Sequence, residues 1–230
     1  MGYISIKSKN LVYLNMPKSG CTSIKNHLYY VEKGSWLSDP LKIHKQRKGL
    51  LKSKFENEKI IIEDKMKGSF VFTFVREPGA RIYSLYSEKI RSKGKYSFPR
   101  VTKCLIDEYG FKLMGKSIEI ERSNFYSFLS FIQDNIDHKT DFRLDPHWLP
   151  QSIIIRRNTK KRMLDFVGKI ENFEQDISFI FNKLGVTEHD FSKRMNINQK
   201  KIFQFDQIIT DDIQALINKI YQDDYSSFGY

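Results

Sequence analysis

The chain reads as an α/β protein with a central, mainly parallel sheet, and three observations predict it. A short apolar run ending at Met16 stops at a small, cationic, hydroxyl-rich turn, after which Ile24, Leu28 and Val31 recur at i, i+4 and i+7 on one helical face. The β-branched and aromatic run Phe70 to Val75 is of the kind that parallel sheets bury on both faces, and it too is followed by a helical pattern. Phe166 to Glu171 repeats the strand end, again with a helix behind it.

The first turn, Pro17-Lys18-Ser19-Gly20-Cys21-Thr22-Ser23, combines helix N-terminal amides with a Lys and several hydroxyl or thiol side chains. Those groups suit an anion of the phosphate type. An ordinary strand-to-helix turn in which Ser and Thr serve only as N-caps explains the stretch equally well. A Walker loop does not, because there is one Gly and the Lys precedes it. Leu41-Lys42-Ile43-His44 is expected to be a short strand with His44 at its C-terminal end, where open α/β sheets gather ligands. The charged stretch Lys45 to Lys67 contains the apolar run Ile60 to Ile62, expected to form a short buried element.

At the second junction Pro78 fits near the helix start, and Ile82, Tyr83, Tyr86 and Ile90 lie close to one face. Arg76 where the strand ends and Ser84 within the helix suit a shared anion, the Arg offering its planar donor fork. Ser92 to Gly115 reads as loop and short helix. Phe125, Phe128, Leu129, Ile132 and Ile136 mark a core-facing helix. Asp145 and Pro146 introduce His147 and Trp148, where the His either meets a ligand or packs under the Trp. Asn172 with Gln175 reads as a capping box for a helix that Gly185 ends, and Thr210 is expected to cap the last helix.

A chain of 230 residues can bury a core without disulfide or metal support, and without a linker or repeat it reads as one domain over residues 1 to 230. Cys21 and Cys104 are too far apart in the chain to suggest a disulfide framework or a zinc site. The net charge of +12, from 39 Lys and Arg against 27 Asp and Glu, implies an anionic ligand. Nucleic acid is one such ligand, but the charge is spread along the chain with only short clusters at Lys42 to Lys54 and Arg156 to Arg162. No run is long enough for a secretory signal or a membrane span.

The two junctions resemble those of the sulfotransferases that use 3′-phosphoadenosine 5′-phosphosulfate (PAPS), and of their carbohydrate branch in particular. Pro17 to Ser23 is similar to the family's 5′-phosphosulfate loop, and Arg76-Glu77-Pro78-Gly79-Ala80-Arg81-Ile82-Tyr83-Ser84 to its 3′-phosphate motif. The segment around His147, the Gly168-Lys169-Ile170-Glu171 segment and the chain's ending resemble the family more loosely. The resemblance implies a P-loop-NTPase-like three-layer fold. It implies PAPS as donor and 3′-phosphoadenosine 5′-phosphate (PAP) as product, no metal, and a carbohydrate acceptor rather than nucleic acid. Pro17 to Ser23 would hold the 5′-phosphosulfate, with Lys18 stabilising the leaving oxygen, and Arg76 with Ser84 would hold the 3′-phosphate. His44 is the expected general base, His147 the reserve and Glu77 a third choice. Lys193 to Lys201 is expected either to close over the nucleotide or to be a solvated loop. A P-loop kinase and a basic nucleic-acid-binding protein are the alternatives, both a poorer match to the two junctions. Relatives in the Golgi carry a membrane anchor, and the lack of one here leads to the expectation of a soluble, bacterial, cytoplasmic enzyme.

Overall fold

A computed structural model describes residues 2–44, 68–92, 97–115, 117–159, 164–186, 189–195 and 202–230. The expected buried element at Ile60 to Ile62 lies outside the described residues. Those described fall into two compact units, residues 1–76 with 154–197 and residues 77–153 with 198–230.

The first unit holds the sheet, in the order β1 (Tyr3–Ile6), β2 (Leu11–Leu14), β3 (Phe70–Val75), β4 (Phe166–Lys169). β1 runs antiparallel to β2, while β2, β3 and β4 are parallel, with Tyr13 opposite Phe72 and Phe74 opposite Gly168. Side chains alternate across the pleat, so the register sorts them into two faces. Ile4, Ile6, Leu11, Tyr13, Phe72 and Phe74 pack against Ile24 and Leu28 of α1 (Cys21–Lys33) and against Phe173, Ile177 and Ile180 of α6 (Phe173–Lys183). Tyr3, Val12, Leu14 and Val71 on the other face pack against Ile155 of α5 (Gln151–Thr159) and Leu164. Helices therefore cover both faces of a mainly parallel sheet, as the sequence predicts. Gly168 has no side chain because the Phe74 ring crosses it, and an added Cβ would lie 2.7 Å from that ring.

The second unit is helical. It comprises α2 (Pro78–Leu85), which runs into a π turn at Tyr86–Ile90, α3 (Pro99–Glu108), α4 (Ile118–Ile136), α7 (Phe205–Ile208) and α8 (Asp211–Phe228). Its core joins Ile82, Tyr83, Tyr86 and Ile90 to Phe125, Phe128, Leu129 and Ile132, the two stripes foreseen from spacing. Pro78 occupies the first helical position, and the Glu77 carboxylate caps α2, accepting the amides of Gly79 at 2.9 Å and of Ala80.

Several local expectations are corrected. Leu41 to His44 is a 3-10 turn, Pro40–His44, rather than a strand. A strand there would need a ladder partner, whereas Asn26 captures the Pro40 carbonyl at 3.1 Å and Ile43 is buried in the core. Asn172 makes no capping bond, because a 3-10 turn at Ile170–Asn172 leads straight into α6, and the Asp176 carboxylate accepts the Lys169 amide at 2.6 Å instead. Thr210 stands at the N-cap of α8, but its hydroxyl bonds Asp212 rather than a helix amide. β1 and α5 have no counterpart in the sequence reading.

Candidate active site

The loop Asn15 to Gly20 leaves the C-terminal end of β2 and feeds α1. Two of its residues are left-handed, Lys18 at φ 66° and Gly20 at φ 68°. Gly20 is required there twice over: a side chain at that φ is strained, and an added Cβ would approach the Ile170 Cδ1 to 2.2 Å. Gly20 is also the N-cap of α1, with no side-chain capping bond. The N-cap position is thus taken by Gly20 rather than by a Ser or Thr, and the Ser23 hydroxyl is committed to Met195. The first-turn amides of α1 have no acceptor within the helix, and no acidic residue stands in that turn.

Pro17, Ser19, Thr22 and Ser23 are buried, while Lys18, Gly20 and Cys21 are half-buried. Thr22 Oγ1 lies 2.9 Å from His44 Nε2. The buried Asn26 amide donates to the carbonyls of Thr22, at 2.8 Å, and of Pro40, tying the turn that carries His44 to α1. Arg76, the first residue after β3, donates from Nη1 to the Lys18 carbonyl at 3.4 Å. Within this unit the fold thus brings Lys18, Thr22, His44 and Arg76 to one end of the sheet, three of them from separate parts of the chain.

Ser23 is placed differently. Its hydroxyl donates to the Met195 carbonyl at 3.0 Å and accepts the Met195 amide at 2.8 Å, so it anchors the segment 189–195 to α1. A pair of histidines anchors the same segment. His27 Nε2 bonds the Lys193 carbonyl at 2.8 Å and therefore carries the hydrogen, which leaves its Nδ1 to accept from His189 Nε2 at 2.7 Å. Lys193 lies over the Trp36 ring, 4.4 Å from its centroid. Of the basic stretch Lys193 to Lys201, residues 196–201 lie outside the described residues. Neither Asn26 nor this histidine pair was marked by the sequence, because the partners lie 14 and 162 positions away.

Burial holds the His27 imidazole down at about 4 against the ordinary 6.5, although the Lys193 carbonyl favours its protonation. A group with a depressed folded pKa contributes stability above its unfolded value and loses it as pH falls. The linked stability is thus present above pH 6.5 and disappears between 6.5 and about 4, amounting to at most about 3 kcal/mol. Urea denaturation of the wild type is expected to show a midpoint that drops between pH 6.5 and 5, and His27→Gln a flatter one. Equal slopes in the two proteins would remove His27 as the source.

Ser84 and His147 belong to the second unit. Ser84 is buried on α2. His147 donates from Nδ1 to Asp145 Oδ1 at 2.6 Å, so the neutral ring holds its lone pair at Nε2. The ring lies edge-on to Phe98, not under Trp148. Burial raises the Asp145 carboxyl, but the His147 bonds outweigh it and the pKa is lowered. The loop is held firmly: the buried Arg81 guanidinium donates to the carbonyls of Leu149 and Pro146 at 3.0 and 3.1 Å. Trp148 donates to Asn135 at 2.8 Å, and Tyr221 donates to the Trp148 carbonyl at 2.8 Å. Glu77, the third choice as base, has its carboxylate occupied by the α2 amides and by the Tyr225 hydroxyl at 2.8 Å.

Cys21 and Cys104 are free thiols, and among the described residues no three His, Cys, Asp or Glu side chains are grouped to hold a metal. No helix among them is long and apolar enough to cross a membrane.

A family model described as the sulfotransferase family matches residues 2–230. The chain is similar to carbohydrate sulfotransferase 11 of Rattus norvegicus, 25% identical over 236 residues that cover 96% of this chain and 64% of that protein. It is similar to carbohydrate sulfotransferase 9 of Homo sapiens, 24% identical over 237 residues, 99% of this chain and 52% of that protein. Carbohydrate sulfotransferase 14 of Danio rerio is 25% identical over 185 residues, 77% of this chain and 47% of that protein. The chain spans 64% or less of the length of these three relatives. No solved structure matches it.

Proposed function

Since this chain belongs to the sulfotransferase family, which its residues 2–230 match, we propose that it moves a sulfuryl group from PAPS to a hydroxyl of a carbohydrate acceptor. The relatives' names support the carbohydrate acceptor, and the match running across both units supports reading them as one catalytic domain. The observation that carries the mechanism is His44 Nε2 at 2.9 Å from Thr22 in the anion loop, with Lys18 and Arg76 at the same end of the sheet.

Sulfuryl transfer asks the protein to align the attacking and leaving oxygens and to stabilise the charge that builds on them. The amides of the loop and first turn, with Ser19 and Thr22, hold the 5′-phosphosulfate. Ser23 supports the loop through Met195 and contributes its backbone amide. Arg76 and Ser84 take the 3′-phosphate, on their eight-residue spacing. When the Thr22 hydroxyl turns to the donor, His44 Nε2 is released to accept the proton of the acceptor hydroxyl. The acceptor oxygen forms the new S–O bond while the bond to the bridging oxygen breaks. The electron pair of that bond leaves with PAP, opposite Lys18.

The test is transfer of radiolabelled sulfonate from PAPS to a panel of glycans, beside calorimetric titration with PAP and ATP. Transfer to at least one glycan and preference for PAP are expected. PAP binding without transfer to any sugar would remove the carbohydrate acceptor, and a preference for ATP would remove the donor.

A further inference from the structure

His147 presents a nitrogen that the proposed mechanism does not use. One carboxylate oxygen, Asp145 Oδ1, accepts both its Nδ1–H at 2.6 Å and its backbone amide at 2.8 Å, fixing the ring together with the backbone that carries it. The hydrogen on Nδ1 leaves the lone pair of the neutral ring on Nε2, which has no hydrogen-bond partner among the described residues. His27, whose two nitrogens are both taken, is the structural contrast. Nε2 of His147 is not buried and the side chain is 36% exposed, so a ligand can reach it. The loop around it is held by two fully buried charged residues of the helical unit. Arg81 donates to the carbonyls of Pro146 and Leu149, which bracket His147, and the Asp224 carboxylate accepts the amides of Gln151 and Ser152, each at 2.8 Å. Buried charges are costly unless hydrogen-bonded, and both are directed at this one stretch of backbone. Packing gives no reason for a reachable, fixed lone pair on a loop so held.

The lone pair selects its ligand. It accepts a hydrogen bond and, with a carboxylate behind the ring, repels a phosphate or sulfate, so it suits a hydroxyl. The half-buried Phe98 ring stands beside the imidazole, 5.7 Å between centroids, and offers an apolar surface to a C–H face. A pyranose carries both features. We propose that His147 binds the carbohydrate acceptor, its Nε2 receiving the hydrogen bond of a sugar hydroxyl beside Phe98, and that Asp145 is the positioning residue that sets this tautomer. This rests on the carbohydrate reading above and deepens it: the hydroxyl at His147 is a different one from the hydroxyl whose proton His44 takes.

The experiment measures transfer from PAPS to the glycans that the wild type sulfates, using His147→Ala, Asp145→Ala and Asp145→Asn. His147→Ala and Asp145→Ala are expected to raise KM for the glycan about tenfold, as for one lost hydrogen bond, with kcat within about threefold and calorimetric PAP affinity unchanged. Asp145→Asn keeps an oxygen that accepts both His147 bonds and is expected to restore most of the affinity lost in Asp145→Ala. Nitrogen-15 spectra of the imidazole are expected to show the Nδ1–H tautomer in wild type and Asp145→Asn, and to lose it in Asp145→Ala. An unchanged KM in His147→Ala would overturn the proposal. A loss confined to kcat, as deep in Asp145→Asn as in Asp145→Ala, would overturn it by making His147 the proton acceptor. Losses of glycan and PAP affinity together would overturn it by marking the pair as structural. A wild type that sulfates no glycan would sink the carbohydrate reading separately. The methyl glycosides of neutral hexoses, N-acetylhexosamines and uronic acids would then be added to the wild type: a shift of the His147 Nε2 resonance would sustain the hydroxyl site, and no shift would overturn it too.

Discussion

Lys18→Met is expected to lower the rate of sulfuryl transfer by about a hundred- to a thousandfold, the range for removing one preorganised group from a developing charge. Affinity for PAP is expected to change by less than about tenfold, because in the proposed site the amides, Arg76 and Ser84 would still hold the nucleotide. Lys18 occupies the left-handed region at φ 66°, a conformation that a lysine adopts only when its surroundings impose it. Its carbonyl receives the Arg76 guanidinium at 3.4 Å, so the loop and the end of β3 set the backbone from which the ammonium extends. Methionine keeps the apolar stem and the same backbone requirement, which leaves the charge as the main difference. Single-turnover rates with saturating PAPS, set beside calorimetric PAP affinity, measure the two effects separately. A loss confined to affinity, with the rate intact, would assign Lys18 to binding and leave the leaving oxygen without its proposed partner.

The second large effect is expected at His44. His44→Ala should reduce transfer by about a hundred- to ten-thousandfold, the usual worth of a positioned general base, while PAP still binds and the protein stays folded. The imidazole is exposed on a 3-10 turn and contributes little to packing, whereas its neighbour Ile43 anchors the turn in the core. Added imidazole is expected to restore part of the rate in this variant, and the acid limb of the pH–rate profile should disappear. Near-normal turnover would transfer the role to His147, whose Nδ1–H bond to Asp145 already leaves Nε2 as the basic nitrogen. Parallel measurements on His147→Ala decide between the two.

Much of the framework was legible because it depends on local spacing. Phe70 to Val75 is a β-branched and aromatic run flanked by turn residues, and it is β3. Phe125, Phe128, Leu129 and Ile132 recur at helical intervals, and they line the core of the second unit. Local logic failed where a distant partner decided the outcome. Leu41 to His44 has the composition of a strand, yet the Asn26 amide and the burial of Ile43 fold it into a turn. Asn172 has the residues of a capping box, yet the incoming 3-10 turn leaves the helix entry no need of it.

By itself the sequence determined the α/β class and the two strand-to-helix junctions, together with the residues on which the proposed donor site rests. Hydrophobic periodicity and turn chemistry are written over a few neighbouring residues, so they survive without knowledge of the fold. Only the tertiary structure decided how those residues are used. It set His44 against Thr22, committed the Ser23 hydroxyl to Met195 and joined His27 to His189 across 162 positions. Each of these depends on contacts between segments far apart in the chain, and burial changes the energy of a charge only once such contacts have excluded water.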